Sequence, residues 1–254
     1  MLVDSHCHLD QFDHVAAVLE EAAVRGVERV VAVSEAPDSM RAVLELKRRF
    51  PQRVLAGLGL HPAWVTEHDD QVEVALGWMA EHLAQADLLG EVGLDYKWAV
   101  TDEEQMRQCE VLERQLALAA QHKKPINLHS RRSLRQTMEK AIEYRRSSGF
   151  NAQLHWFTES KKLVRICNDE GIYVSVGPTV LKNEPTQQVA VEIADELLLL
   201  ETDAPVSVGG EGGHPRHLRE VAECVAALRG STWEDLAALS GANFARFLGR
   251  SVLT

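Results

Sequence analysis

Eight short runs rich in aliphatic and β-branched residues recur along the chain, each followed by a helix-length segment. They are Leu2–Ser5, Arg29–Val33, Val54–Gly59, Leu88–Val92, Ile126–His129, Ala152–His155, Ile172–Val176 and Leu197–Glu201. Such alternation fits a parallel sheet, because neighbouring parallel strands need a crossover long enough to return to the same end. A closed (β/α)8 barrel typically takes about 250 residues, which suits a chain of 254. An open doubly wound sheet calls for a glycine-rich phosphate loop after an early strand, and the sequence has no Gly-x-Gly-x-x-Gly. Gly57 and Gly59 lie inside the third run, where they mark a close approach of backbones. The expectation is an α/β fold, a (β/α)8 TIM barrel forming one domain over residues 1–254.

Local signals punctuate the alternation. Thr101 and Glu104 form a capping box, and Cys109, Leu112, Leu116 and Ala119 follow at helical spacing until Pro125. Pro215 stands at a first helical position and Gly230 closes that segment. Ser231 with Glu234 is the expected start of a last helix running through Asn243-Phe244.

The chain is long enough to bury a large core without staples, so a bound metal is expected to be catalytic rather than structural. Four scattered cysteines form no Cys-x-x-Cys pair, and the first apolar residues read as strand rather than as a targeting segment. The expected setting is cytoplasmic, with reduced thiols and no membrane span. The formal net charge of −11 leaves no overall basic surplus, so any grip on nucleic acid must be local or pass through metal.

The strand ends carry the chemistry. The first ends in His6-Cys7-His8, two imidazoles on one side of a strand. The third ends at His61-Pro62, the fourth at Glu91 and Asp95, the fifth at His129-Ser130-Arg131, the sixth at His155-Trp156, and the eighth at Glu201 and Asp203. In a barrel these ends meet at one rim, where active sites of the fold lie. Imidazole and carboxylate together suit Zn²⁺ and Mn²⁺, and carboxylates with water suit Mg²⁺. The expected centre holds two divalent metal ions: His6, His8 and Asp203 on one, His129 and His155 on the other, with Glu91 bridging. Arg131 is a candidate for pairing with a substrate phosphate, and His61 for a substrate contact. Asp95 and Glu201 are candidates for orienting ligand imidazoles, and Trp156 for stacking on a base. Trp98, like Trp64, Trp78 and Trp233, reads as a packing residue.

These motifs, His6-Cys7-His8, Gly-Glu91-Val-Gly-Leu-Asp95, Leu-His129-Ser-Arg131, His155-Trp-Phe157 and Glu201-Thr-Asp203-Ala-Pro205, resemble those of the TatD-type metal-dependent deoxyribonucleases. Gly-Leu-His61-Pro62 and Asn243-Phe244 fit as well, and the resemblance runs from residue 1 to about 248. It implies an amidohydrolase-like barrel, a dinuclear metal site, and hydrolysis of phosphodiester bonds in DNA, with Asp203 and Glu91 as catalytic residues. Three stretches depart from the family pattern: Arg131-Arg132-Ser133, Trp156, and the glycine-rich Val206–Gly213 loop, which carries one acidic and no basic residue. The departures leave substrate and DNA-strand preference open; the acidic chain and a loop without basic residues favour single-stranded or frayed ends over intact duplex, and the expected action is exonucleolytic. Two other readings use the same residues. One is a dinuclear hydrolase of carbonyl substrates, such as an aminoacyl-tRNA ester or a cyclic amide; the other is a non-catalytic partner protein with a vestigial site. No lysine ends a strand, and Glu91 stands where carbonyl-cleaving barrels often place a modified lysine, which favours the nuclease.

Overall fold

Each of the eight runs forms a strand in the computed structural model, which describes residues 1–158, 161–207, 210 and 212–250. The strands are β1 (Leu2–Cys7), β2 (Val27–Val33), β3 (Val54–Leu58), β4 (Leu88–Asp95), β5 (Ile126–Arg131), β6 (Ala152–Leu154), β7 (Tyr173–Val176) and β8 (Leu198–Leu200). They pair in chain order, every neighbour parallel. The β8–β1 seam is fastened just beyond the strands. Asp203 N–H donates to the His6 carbonyl at 3.0 Å and His8 N–H to the Ala204 carbonyl at 2.8 Å, while the buried Asp4 carboxylate accepts from Thr202 N–H at 2.9 Å and from its hydroxyl. The result is the expected TIM barrel, with helices between the strands.

Helices cover the outer face of the sheet, so most strand residues are buried on both sides and read as near-continuous apolar runs. The helix Asp102–Gln121 starts at the Thr101–Glu104 capping box and buries Val111, Leu112, Leu116 and Ala119. Its Gln108 does more than pack: Oε1 accepts from Asp95 N–H at 2.9 Å and Nε2 donates to the Pro62 carbonyl at 3.0 Å. That side chain fixes the ends of β3 and β4 relative to each other. The last helix is Trp233–Phe247, and its cap is Thr232, which accepts from Asp235 N–H. The cap is therefore one residue later than the expected Ser231. Pro215 opens a single 3-10 turn, Pro215–His217, ahead of the helix Leu218–Arg229, which Gly230 ends in the left-handed region.

Gly59 shows why β3 carries small residues. A Cβ there would meet the Glu91 carbonyl at 2.4 Å, so only glycine lets the chain leaving β3 lie against the Glu91 backbone. Inside the barrel a polar layer underlies the rim. Gln153 donates to the hydroxyls of Ser5 at 3.0 Å and Ser175 at 2.9 Å, and Ser175 donates to Glu201 at 2.6 Å. Among the described residues no helix is long and apolar enough to cross a membrane.

Candidate metal centre

The six proposed metal ligands converge at the C-terminal end of the barrel. His6 Nε2 and His8 Nε2 lie 3.3 and 3.2 Å from Asp203 Oδ1, and each lies 3.5 Å from Glu91 Oε2. On the other side of the same carboxylate, Glu91 Oε1 lies 2.8 Å from both His129 Nδ1 and His155 Nε2, which are 3.3 Å apart. Glu91 thus turns one oxygen to each pair of histidines. The rings of His6 and His155 stack between the two groups, with centroids 3.9 Å apart. Asp203 sits at φ 52°, a left-handed conformation that aspartate tolerates better than most residues. It lies just past β8 and brings the carboxylate back onto His6 and His8.

Two of the four rings, His6 and His129, have their outer nitrogen held by an oxygen atom. Asn127 Oδ1 lies 2.9 Å from His6 Nδ1, and its own amide faces the Ser5 carbonyl, so the ring nitrogen is the donor and Nε2 keeps its lone pair. Asp95 Oδ2 lies 3.2 Å from His129 Nε2. Glu201 Oε1 is 3.8 Å from His155 Nδ1. Glu35 Oε2 is 3.7 Å from His8 Nδ1. Asn127 and Asp95 are placed to set ring tautomer and direction and to raise ligand basicity, whereas Nδ1 of His155 and of His8 has no hydrogen-bond partner among the described residues.

The centre fits a cation. Buried Nε2 of His6, Oε2 of Glu91 and Oδ1 of Asp203 have no hydrogen-bond partner among the described residues. Lone pairs facing one another across 3.2–3.5 Å repel unless a proton or a metal lies between them. Donors about 2.0–2.1 Å from a tetrahedral ion are roughly 3.3–3.4 Å apart, the spacing seen in this group. Without metal, protons fill the role. Burial opposes charge on the imidazoles, yet Glu91 and Asp203 raise His6 well above its ordinary value and raise His8. Burial and the neighbouring His6 oppose charge on His155, but Glu91 and Glu201 push it up to about 9. Burial also opposes ionisation of Glu91 and Asp203, and the surrounding histidines outweigh it, holding both below the usual carboxylate range.

The centre floors a cleft of about 810 Å³. His61 Nδ1 accepts from Ala63 N–H at 3.1 Å and caps the helix Pro62–Glu67. Its Nε2 is 3.7 Å from Glu91 Oε1, and burial, with His129 nearby, drops it to about 3. So it stays neutral and carries its proton on the nitrogen facing the cleft. Arg131 and Arg132 are exposed on the cleft wall. Arg131 belongs to β5, in register with Asp95, so the strand runs two residues past the apolar run Ile126–His129. It therefore points to the same side as His129.

Two residues of the cleft escape the sequence reading. Glu35 stands two residues beyond β2, and the rule that strand ends carry ligands points to it once β2 is included. Trp98 is no packing residue: it is 45% exposed and lines the cleft. Of the Val206–Gly213 loop, Val206 reaches the cleft, while Val208, Gly209 and Glu211 lie outside the described residues.

A (β/α)8 barrel with imidazoles and carboxylates gathered at its strand ends defines the class of metal-binding barrels. The TatD-related DNase family model matches residues 3–249, and the chain belongs to this family of metal-dependent hydrolases. It is 31% identical to YabD, an uncharacterized metal-dependent hydrolase of Bacillus subtilis, over 97% of this chain and 98% of the relative. It is 30% identical to the deoxyribonuclease TATDN3 of Homo sapiens, over 92% and 90% of the two chains. The crystal structure of YJJV, a TatD homologue from Escherichia coli, matches with a TM-score of 0.84 at 27% identity, covering 97% of each chain.

Proposed function

We propose that this barrel is a dinuclear metal-dependent deoxyribonuclease that hydrolyses phosphodiester bonds from single-stranded or frayed DNA ends. The observation that carries the reading is the position of Glu91, with Oε2 toward His6 and His8 and Oε1 toward His129 and His155. His6, His8 and Asp203 would hold one divalent ion and His129 and His155 the other, with Glu91 shared. Bound ions would supply Lewis acidity, lowering the pKa of water and stabilising charge on phosphate oxygens.

The chain's own residues do the rest. Asp203 stays ionised at neutral pH, so it can accept the proton of the attacking water. His61 offers an N–H toward the cleft as a donor to substrate oxygen. Arg131 meets a phosphate next to the one being cleaved. A phosphate must reach the cleft floor, which a paired duplex cannot do without opening. Few cations surround the cleft to favour that opening, and this supports single strands and frayed ends as substrates. The human relative is named a deoxyribonuclease, which supports DNA over carbonyl substrates.

The test is hydrolysis of end-labelled single-stranded DNA, blunt duplex and aminoacyl-tRNA with Mg²⁺, Mn²⁺ or Zn²⁺, before and after chelation. Stepwise, metal-restored shortening of the single strand is expected. Cleavage of aminoacyl-tRNA alone, or no turnover on any of them, would overturn the reading.

A further inference from the structure

We infer that Trp98 is the platform on which a nucleobase flanking the scissile phosphodiester stacks, an inference that rests on the DNA reading above. Tryptophan is usually well buried, and a large aromatic left open at a cleft wall calls for an explanation. Trp98 leaves 45% of its surface open there. A loose loop is not the reason. Lys97 N–H donates to Asp95 Oδ1 at 2.9 Å, and the N–H groups of Trp98 and Ala99 donate to the Asp95 carbonyl at 3.2 and 3.0 Å. Ala99 is fully buried, and Gln105 Nε2 holds its carbonyl at 3.2 Å. The turn is clamped on both sides of the indole while the indole itself is open.

The neighbouring strand end supplies the complementary chemistry. Tyr96 N–H donates to the Arg131 carbonyl at 2.9 Å, so the Trp98 turn and the Arg131-Arg132 segment leave the barrel side by side. Neither arginine has an ion-pair partner among the described residues. Lys97 Nζ lies 5.6 Å from the Trp98 ring centroid. An aromatic face beside unpaired cations matches a nucleotide, which presents a flat base and an anionic phosphate together. Base–aromatic stacking tolerates any base, because each has a π-face, so this contact secures strand ends without reading sequence.

The test compares wild type, Trp98→Ala and Trp98→Phe on three substrates. These are a single-stranded oligonucleotide, the same strand with its two terminal nucleotides abasic, and methyl p-nitrophenyl phosphate. Affinity for the oligonucleotides is also read in the Asp203→Asn background, where turnover is suppressed. Trp98→Ala should lose about tenfold in kcat/KM and in affinity on the normal strand, and Trp98→Phe should keep most of both. On the abasic strand wild type and Trp98→Ala should converge, and on the small diester they should match. An equal loss on all three substrates, or no loss on the normal strand, would overturn the stacking role. A wild type that cleaves the small diester but no DNA would overturn the DNA reading itself.

Discussion

Asp95 Oδ2 lies 3.2 Å from Nε2 of His129, which leaves the ring's other nitrogen turned toward Glu91 Oε1 at 2.8 Å. Carboxylates in this position hold a ligand imidazole in one tautomer and one direction. Asp95→Asn keeps an acceptor for Lys97 N–H but removes the charge behind the ring. Metal affinity should fall about 10–100-fold with the fold intact, measured by competition against a chelating dye. Unchanged affinity would mean that Asp95 serves only the turn that carries Trp98.

Asp203→Asn removes the carboxylate proposed to accept the water proton and weakens a proposed metal ligand. It should lower kcat by about 10²–10⁴-fold while leaving the circular-dichroism spectrum unchanged. Adding Glu91→Ala to it should cost little more, because groups that act as a unit are not additive. Near-normal turnover in Asp203→Asn would remove it from the mechanism.

The metal-free protein should lose stability as pH rises. His155 titrates near 9 in the fold against about 6.5 in an unfolded chain. Its stabilising contribution is therefore whole below about pH 6.5 and is lost as pH climbs through 9. His6, His8 and His129 are raised and act in the same direction. So does Asp4, pushed up to about 7 by burial, because the fold keeps a proton that an unfolded chain gives up. Glu91 and Asp203 are depressed, so their contribution is lost only in acid. The Tm of metal-stripped protein should fall between about pH 6 and pH 9.5, while metal affinity rises as ions replace these protons. A Tm that climbs over this window would contradict the charge arrangement.

Arg131→Ala should raise KM more than it lowers kcat, because a flanking phosphate is held equally before and during cleavage. The dependence of affinity on salt should be shallow in wild type and shallower by about one ion in the variant. Both quantities come from one kinetic series across salt concentrations. A steep slope in wild type would reveal a basic surface that the net charge of −11 conceals.

Much of this site was legible because a parallel barrel brings strand ends together whatever their sequence separation. His6, Glu91, His129, His155 and Asp203 end apolar runs, and no other feature was needed to place them at one rim. What stayed hidden depends on contacts across the rim. Arg131 continues β5 because β4 runs on to Asp95 and pairs with it, and the end of an apolar run does not reveal that extension. The exposure of Trp98 follows from a turn clamped by Asp95 and Gln105. The division of the Glu91 oxygens between two histidine pairs needs atomic positions. Glu35 could have been found, since it stands just past β2, at the same rim as the proposed ligands.

Glu91 is proposed to serve two metal ions at once. Elemental analysis of wild type and Glu91→Ala, prepared in parallel with turnover on single-stranded DNA, tests it most directly. Two divalent ions per chain are expected in wild type. In Glu91→Ala both sites should weaken together, with turnover lost and the barrel still folded, because its large core does not depend on metal. Two tightly held ions in Glu91→Ala, or a single ion in fully active wild type, would contradict the account.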